Sequence, residues 1–371
     1  MMDPRIDKLA EVMIDYSIKV KKGDLFKIQG PYLALPLMKA VYRKALEKGA
    51  HPYVDIMTDE INEIFFKHAS DEQLTYIPEI RKLEIEKITA YLHIWGAENT
   101  RYLTNTDPQQ QRKAQQARKD LIQTYFRRTA SKELSWCGTL FPNNAMAQDA
   151  EKSLTEFEDF VYSAGHCDDD DPISFWREFS GEQQKLCDRL DQISTFHIKA
   201  DGTDLKMSVK GRKWINCDGQ QNFPDGEVFT GPIEDSANGH ITYTYPACHQ
   251  GREVENVRLT FKDGLVTDFQ AGKNYEFLKQ MLQMDDGAKR IGEIAVGTNY
   301  NITTFSKNIL FDEKIGGTCH LAVGNSIPES GGKNVSSLHW DMICDLRHGG
   351  EIYADDELIY KDGHFLPGFA E

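Results

Sequence analysis

The first part of the chain alternates between apolar positions at helical spacing and short apolar runs typical of strands. Residues 24–28, 51–57 and 88–95 are predicted strands, and residues 34–47 form a predicted helix between the first two. An earlier helix is predicted after Asp3-Pro4, with its apolar positions on one face: Ile6, Leu9, Val12, Met13 and Tyr16. Strands that alternate with helices predict βαβ units, so we expect an amino-terminal α/β domain of the Rossmann-like kind with a parallel sheet.

The pattern changes after a helix predicted at residues 181–193. Short strand-like runs follow, separated by turn-forming pairs: Asp201-Gly202, Asp218-Gly219, Asp225-Gly226, Asn238-Gly239 and Asp263-Gly264. Such spacing is typical of antiparallel hairpins. With a last helix predicted at 275–283, the second half reads as a mostly antiparallel β domain. We place the two domains at residues 1–175 and 176–371.

The composition is that of a globular protein. The chain has 371 residues, of which 40% are hydrophobic, and its net charge is −15. This charge disfavours nucleic acid and anionic membrane surfaces as partners. No apolar run approaches the roughly 18 residues of a membrane-spanning helix, and residues 1–16 lack the apolar core of a signal peptide. We therefore expect a cytoplasmic protein that binds neither nucleic acid nor membrane.

Candidate chemistry is concentrated in the second half. The α/β half has neither GxGxxG nor GxxxxGK[ST], so a scaffold role is expected for it. In His339-Trp340-Asp341 an imidazole and a carboxylate are two residues apart, and on a strand both would project from the same face. Two metal ligands could meet there, although many such pairs are only surface hydrogen bonds.

Three further residues extend this candidate site. His320 lies in an apolar run bounded by glycines, where either a backbone carbonyl or a metal would satisfy its ring. Glu293 lies among apolar neighbours and either needs a nearby cation or points outward from its strand. Glu227 directly follows the predicted turn at 223–226. Three carboxylates and two imidazoles suit two divalent ions bridged by a carboxylate, which is chemistry for hydrolysis.

Four motifs, at residues 222–230, 292–295, 312–322 and 339–343, resemble those of the aminopeptidase T family of two-metal exopeptidases, which includes the AmpS and PepS enzymes. The resemblance implies release of the amino-terminal residue from short peptides by a homodimer. It also implies two divalent ions per chain, with zinc, cobalt, manganese or magnesium as the candidates. The implied metal ligands are Glu227, Glu293, His320, His339 and Asp341. Of these, Glu293 and Glu227 are the implied catalytic carboxylates, and Glu293 is expected to combine metal binding with proton transfer.

One position departs from the family pattern. Members commonly carry a tyrosine seven residues after the histidine that matches His320, and this chain has Ile327 there. Isoleucine can neither donate a hydrogen bond nor bind a metal. Catalysis is then weaker, or another tyrosine such as Tyr300 substitutes, or the chemistry has changed.

Two alternative functions use the same residues. Ring-cleaving dioxygenases with one iron(II) resemble this family, and they would use His320, His339 and Asp341. The other alternative is a noncatalytic peptide-binding protein that has kept the metals. Retention of both Glu227 and Glu293 favours the hydrolase.

Overall fold

The computed structural model describes residues 3–249 and 251–369. The chain forms two compact units. The amino-terminal unit comprises Met1–Ser174 and Gly219–Pro224, and the carboxy-terminal unit comprises Phe175–Asp218 and Asp225–Glu371. The chain therefore returns once to the amino-terminal unit before it completes the carboxy-terminal unit.

Helices occur mainly in the amino-terminal unit. They are α1 (Pro4–Glu11), continued by a π-helical turn, α2 (Leu35–Glu47), α3 (Asp59–His68), α4 (Asp71–Thr75), α5 (Glu79–Lys87), α6 (Pro108–Ala117), α7 (Lys119–Ala130), α8 (Asn144–Asp149), α9 (Leu154–Ala164), α10 (Pro172–Leu190), α11 (Tyr275–Leu282) and α12 (Ile309–Asp312). The predicted start of α1 is confirmed, since the Asp3 side chain accepts a hydrogen bond from the Arg5 backbone N–H at 2.9 Å. Within the described residues, no helix combines the length and the apolar character needed to cross a membrane.

Strands dominate the carboxy-terminal unit. In chain order they are β1 (Leu25–Pro31), β2 (His51–Met57), β3 (Ala90–Trp95), β4 (Ser135–Leu140), β5 (Thr195–Ala200), β6 (Thr203–Ser208), β7 (Ile215–Cys217), β8 (Asn222–Phe223), β9 (Glu227–Thr230), β10 (Asn238–Thr242), β11 (Ala247–His249), β12 (Arg252–Val254), β13 (Arg258–Lys262), β14 (Leu265–Gln270), β15 (Ile291–Gly297), β16 (Thr318–Gly324), β17 (His339–Asp345), β18 (Glu351–Ala354), β19 (Glu357–Lys361) and β20 (His364–Phe365).

The amino-terminal unit has the parallel sheet that the βαβ pattern predicts. Its strand order is β2-β1-β3-β4-β8, and every neighbouring pair runs parallel. The last strand, β8, comes from the returning segment Gly219–Pro224. The predicted α/β class of this half is therefore confirmed.

The carboxy-terminal unit contains two larger antiparallel sheets, as predicted for a mostly β half. One has the order β14-β13-β10-β6-β5-β18-β19-β20, and the other has the order β17-β16-β15-β9-β7. Buried side chains from both sheets form a single hydrophobic cluster, which includes Phe196, Leu205, Ile241, Ile294, Leu321 and Met342. We call it the core cluster. The opposite face of the sheet β17-β16-β15-β9-β7 does not contribute to this cluster.

The expected hairpins are only partly correct. Asp201-Gly202 and Asp263-Gly264 join hairpin strands, β5 to β6 and β13 to β14. Asn238-Gly239 instead lies inside β10, where a Cβ on Gly239 would come within 2.0 Å of the Asp204 carbonyl oxygen. The glycine has a positive φ of 121° and allows close backbone approach there, and a hairpin turn also favours glycine for its positive φ, so the sequence signal is the same. Asp218-Gly219 and Asp225-Gly226 flank the segment that carries β8.

Candidate metal centre

The alternation of side chains on β16 and β17 separates the core cluster from the candidate site. Both strands alternate regularly, with Cys319, Leu321, Val323, Trp340, Met342 and Cys344 in the core cluster. His320, His339 and Asp341 therefore project from the opposite face of the sheet. The prediction that His339 and Asp341 share a face of one strand is confirmed by the distance of 3.5 Å between His339 Nε2 and Asp341 Oδ2.

A β-bulge directs Glu293 to the same face. The register between β15 and β16 shifts between Ile291 and Glu293, so Gly292 is an extra residue. Ile291 and Ile294 both join the core cluster, and Glu293 points away from it. Only glycine fits at the bulge, because a Cβ on Gly292 would lie 2.3 Å from the Asn325 carbonyl oxygen. Glu293 is buried, which excludes the outward-pointing alternative.

The register of the strands brings the carboxylates into one row. Glu293 lies opposite Ala322 on β16, and Ala322 lies opposite Asp341 on β17. The small Ala322 side chain leaves room between these two carboxylates. Glu227, the first residue of β9, is paired with Gly297 on β15 and is also buried.

The His320 ring is at the centre of this arrangement. Its Nε2 atom lies 3.4 Å from Glu227 Oε2, 3.4 Å from Glu293 Oε1 and 3.9 Å from Asp341 Oδ1. His339 Nε2 lies 3.9 Å from Glu293 Oε2. The structure thus brings together all five residues that the sequence singled out.

These atoms are suited to a divalent cation. Glu227 Oε2, Glu293 Oε2 and Asp341 Oδ1 are buried and accept no hydrogen bond from any described residue. Ligand atoms of Glu293, His320 and Asp341 lie within 4.8 Å of one another. Bonds of about 2.1 Å in a tetrahedral site put ligand atoms about 3.4 Å apart. The His320 Nε2 atom lies 3.4 to 3.9 Å from the three carboxylates. A bound cation would satisfy oxygens that are otherwise costly to bury.

A hydrogen bond orients the more exposed histidine. The His339 Nδ1–H donates to the Asn325 carbonyl at 2.8 Å, which leaves Nε2 directed at the carboxylates. Such a second hydrogen bond is usual for metal-binding histidines. The His339 side chain is 34% exposed, whereas those of Glu293 and Asp341 are 6% and 10% exposed. His339 therefore marks the side on which the centre meets solvent.

Without metal, the ionisation of this cluster reflects burial and close opposite charges. Burial opposes the charge of His320, but the Glu293 hydrogen bond and the Glu227 and Asp341 charges raise its pKa to about 9. Burial also opposes the charge of His339, whose pKa the charge and hydrogen bond of Asp341 raise to about 10. Burial raises the pKa of Glu227 and of Glu293. The surrounding carboxylates therefore favour the protonated form of both rings when no cation is bound.

Sequence reasoning missed several charged residues beside Glu227. Ligand atoms of Glu227, Glu313 and His320 lie within 4.8 Å of one another, as do those of Cys217, Asp225 and Glu227. Lys314 is also there, with its Nζ 3.6 Å from Glu227 Oε1. The available signal was that Glu313 and Lys314 lie within the motif at 312–322, which shows neither their burial nor their partners.

The two residues relevant to the missing tyrosine have other contacts. The Tyr300 hydroxyl donates to the Gly363 carbonyl at 2.9 Å, and its ring stacks on His364. Because the Tyr300 hydroxyl is already hydrogen-bonded and its ring is stacked, Tyr300 is a poor substitute for the missing tyrosine. Ile327 is half-buried, and its carbonyl accepts the Ser330 hydroxyl hydrogen bond at 2.7 Å.

Comparisons with known proteins match nearly the whole chain. The family model described as thermophilic metalloprotease (M29) matches residues 2–365. Aminopeptidase 2 of Geobacillus stearothermophilus is 29% identical, over 99% of this chain and 97% of that protein. The structure of AmpT from Thermus thermophilus superposes with a TM-score of 0.85 at 22% identity, over 98% of this chain and 99% of that chain.

A more distant structure shares the fold. The 2,5-dihydroxypyridine dioxygenase of Pseudomonas putida has a TM-score of 0.59 at 13% identity, over 99% of this chain and 98% of that chain. At that identity the likeness concerns the fold alone, whereas the family match spans nearly the entire sequence. The buried carboxylate and imidazole cluster lies within the matched region. On this evidence the chain belongs to the M29 family of metalloproteases.

Proposed function

We propose that this metallopeptidase is an aminopeptidase that removes the amino-terminal residue from short peptides with two divalent ions. One observation carries the proposal. Glu293 and Asp341 each direct one oxygen towards His320 and the other towards His339, at 3.4 to 3.9 Å. Carboxylates shared in this way suit two neighbouring cations, with Glu227 as a further ligand beside His320.

The roles of the side chains follow from their positions. Divalent ions bound here would polarise the scissile carbonyl and lower the pKa of a water molecule. Glu293 is buried and shared between the two histidines, so we assign it the proton transfer from water to the leaving amine. His339 is the most exposed of the five, so a peptide would enter on its side of the cluster.

The other functions have less support. A mononuclear iron dioxygenase would need only two histidines and one carboxylate as ligands, which leaves the buried Glu227 and Glu293 without a metal to bind. The fold similarity to a dioxygenase does not explain why these two carboxylates are buried at the site. A noncatalytic peptide-binding protein predicts peptide affinity without turnover. Zinc, cobalt, manganese or magnesium as the ion, a homodimer and a cytoplasmic location stay predictions.

Metal removal and replacement test the proposal. Metal-stripped protein is assayed with aminoacyl chromogenic substrates and short peptides, before and after addition of zinc, cobalt, manganese or magnesium. We expect no turnover without metal and release of single amino-terminal residues once a suitable ion is restored. Acetylated peptides serve as the control, because an aminopeptidase requires a free amine. Peptide binding without turnover under every metal would support the noncatalytic protein, and oxygen uptake with one iron per chain would support the dioxygenase.

Substitution of Ile327 by tyrosine tests the departure from the family. If the absent tyrosine limits catalysis, Ile327→Tyr raises kcat by about 10-fold, the effect of one added hydrogen bond of about 1.4 kcal/mol in the transition state. The measurement is kcat with the best substrate, and Ile327→Phe is the control for the ring without its hydroxyl. An equal rate in the two variants would show that the centre works without this hydroxyl.

A further inference from the structure

Lys314 is a fully buried lysine among carboxylates. Its side chain is 0% exposed, and its Nζ lies 3.6 Å from Glu227 Oε1 and 3.9 Å from Asp225 Oδ1. It also contacts Glu313 Oε1 directly. A buried ammonium is costly unless opposite charges surround it, so these contacts account for its presence in the interior.

The contacts of Glu227 are divided between its two oxygens. Oε1 faces Lys314 Nζ, and Oε2 faces His320 Nε2 at 3.4 Å. Oε2 is also the oxygen that accepts no hydrogen bond within the described residues. Lys314 therefore forms an ion pair with one oxygen of this carboxylate, and the other oxygen is directed at the candidate metal position.

The backbone of Lys314 is held on both sides. Its N–H donates to the Phe311 carbonyl at 3.0 Å, and its carbonyl accepts the Asn299 N–H at 3.1 Å. Asn299 in turn donates its side-chain amide to the Asp225 carbonyl at 2.8 Å. These bonds limit the movement of the lysine relative to the segment that precedes Glu227.

We propose that Lys314 is a positioning residue of the metal centre, whose ammonium holds Glu227 so that Oε2 is presented to the ion that His320 also binds. This rests on the proposed two-metal function. Partners that orient a metal ligand in this way typically contribute 10- to 100-fold to metal affinity. Lys314 is itself neither a ligand nor a group that touches substrate.

The negative charges of the cluster can balance the lysine together with two divalent ions. Glu227, Glu293 and Asp341, together with Asp225 and Glu313, carry five negative charges when ionised. One ammonium and two divalent ions supply five positive charges. Lys314 therefore complements the ions and does not replace one of them.

Calorimetric titration of the metal-stripped full chain with cobalt(II) tests the proposal without measuring activity. In Lys314→Met we expect one of the two binding steps to weaken about 10- to 100-fold, with the other step nearly unchanged. Lys314→Gln keeps a hydrogen-bond donor, uncharged and one bond closer to the backbone, so its loss should be smaller than that of Lys314→Met. Glu227→Gln should weaken the same step, and adding Lys314→Met to it should cause little further loss, since the lysine acts through Glu227.

A second buried lysine provides the matched control. Lys27 of the amino-terminal unit lies 3.0 Å from Asp55 Oδ2 and 2.8 Å from Glu84 Oε2. Lys27→Met removes a similar buried charge and should lower thermal stability while both cobalt steps keep their affinity. A merely structural lysine at position 314 would behave in the same way.

The outcomes separate the two proposals. Wild-type affinity or tighter binding in both steps of Lys314→Met overturns the role of Lys314, as does a loss that adds fully to that of Glu227→Gln. A wild-type protein that takes up a single ion contradicts the two-metal function, and Lys314 is then judged on that ion by the same criterion. If Lys314→Met does not fold, Lys314→Gln decides: an unchanged cobalt affinity overturns the proposal, and a weakened one supports it.

Discussion

Asp341→Ala is expected to lower kcat/KM by at least about 10³-fold, the scale seen when one member of a catalytic unit is removed. Asp341 Oδ1 faces His320 and Oδ2 faces His339, so the substitution removes a shared ligand from both proposed metal positions. The measurement is kcat/KM on an aminoacyl substrate, with metal content per chain determined on the same preparation. We expect the loss of activity to accompany the loss of at least one ion.

Asp345 on the same strand provides the matched control. It accepts hydrogen bonds from the Arg347 guanidinium at 2.9 Å and from the Tyr245 hydroxyl at 3.2 Å, and none of the five site residues is among these partners. Asp345→Asn weakens this ion pair but should keep the metal content and most of the turnover. Turnover by Asp341→Ala at a level similar to that of Asp345→Asn would remove Asp341 from the site.

Glu293→Gln is expected to lower kcat by about 10²- to 10⁴-fold, the range of general acid–base catalysis. The amide has nearly the shape of the carboxylate and can still offer one oxygen to a cation, but it cannot accept the proton from water. Stability should change little in the metal-free protein, because burial raises the pKa of this carboxyl and opposes its charge, whereas the hydrogen bond to His320 favours that charge. Steady-state kinetics, metal content and thermal unfolding measure these three effects.

An exposed carboxylate is the control for Glu293. Glu255 pairs with Lys273 at 2.7 Å on the surface of the same unit, and Glu255→Gln should change neither kcat nor metal content. If Glu293→Gln kept the wild-type kcat with both ions bound, another group would have to carry the proton. If it lost both ions, Glu293 would act mainly as a ligand.

Local patterns predicted the fold class and the pairing of His339 with Asp341, whereas the full set of five site residues rested on the resemblance to the aminopeptidase T family. The two-residue spacing of His339 and Asp341 needs only a strand to bring their side chains together. The position of Glu293 was harder, because the apolar run around it does not show that Gly292 forms a bulge. The orientation of its side chain, inward or outward, had to come from the structure.

The contacts of Lys314 could not be predicted from sequence patterns. Its partners Asp225 and Glu227 lie on a distant part of the chain, and no periodicity links them to residues 312–314. Asn238-Gly239 failed for a related reason: the neighbour that requires the glycine, Asp204, lies on another strand. Contacts between elements decide both cases.

The alternation on β16 also bears on how the protein reaches its native state. A slip of one residue in the pairing of β16 would turn Leu321 out of the core cluster and put the His320 imidazole into it. The apolar contacts and the ligand set would be lost in the same event. Misaligned chains should therefore bind metal poorly, and ions added during refolding should favour correctly paired molecules by mass action. Metal binding would then stabilise native strand pairing during folding, before the centre takes part in catalysis.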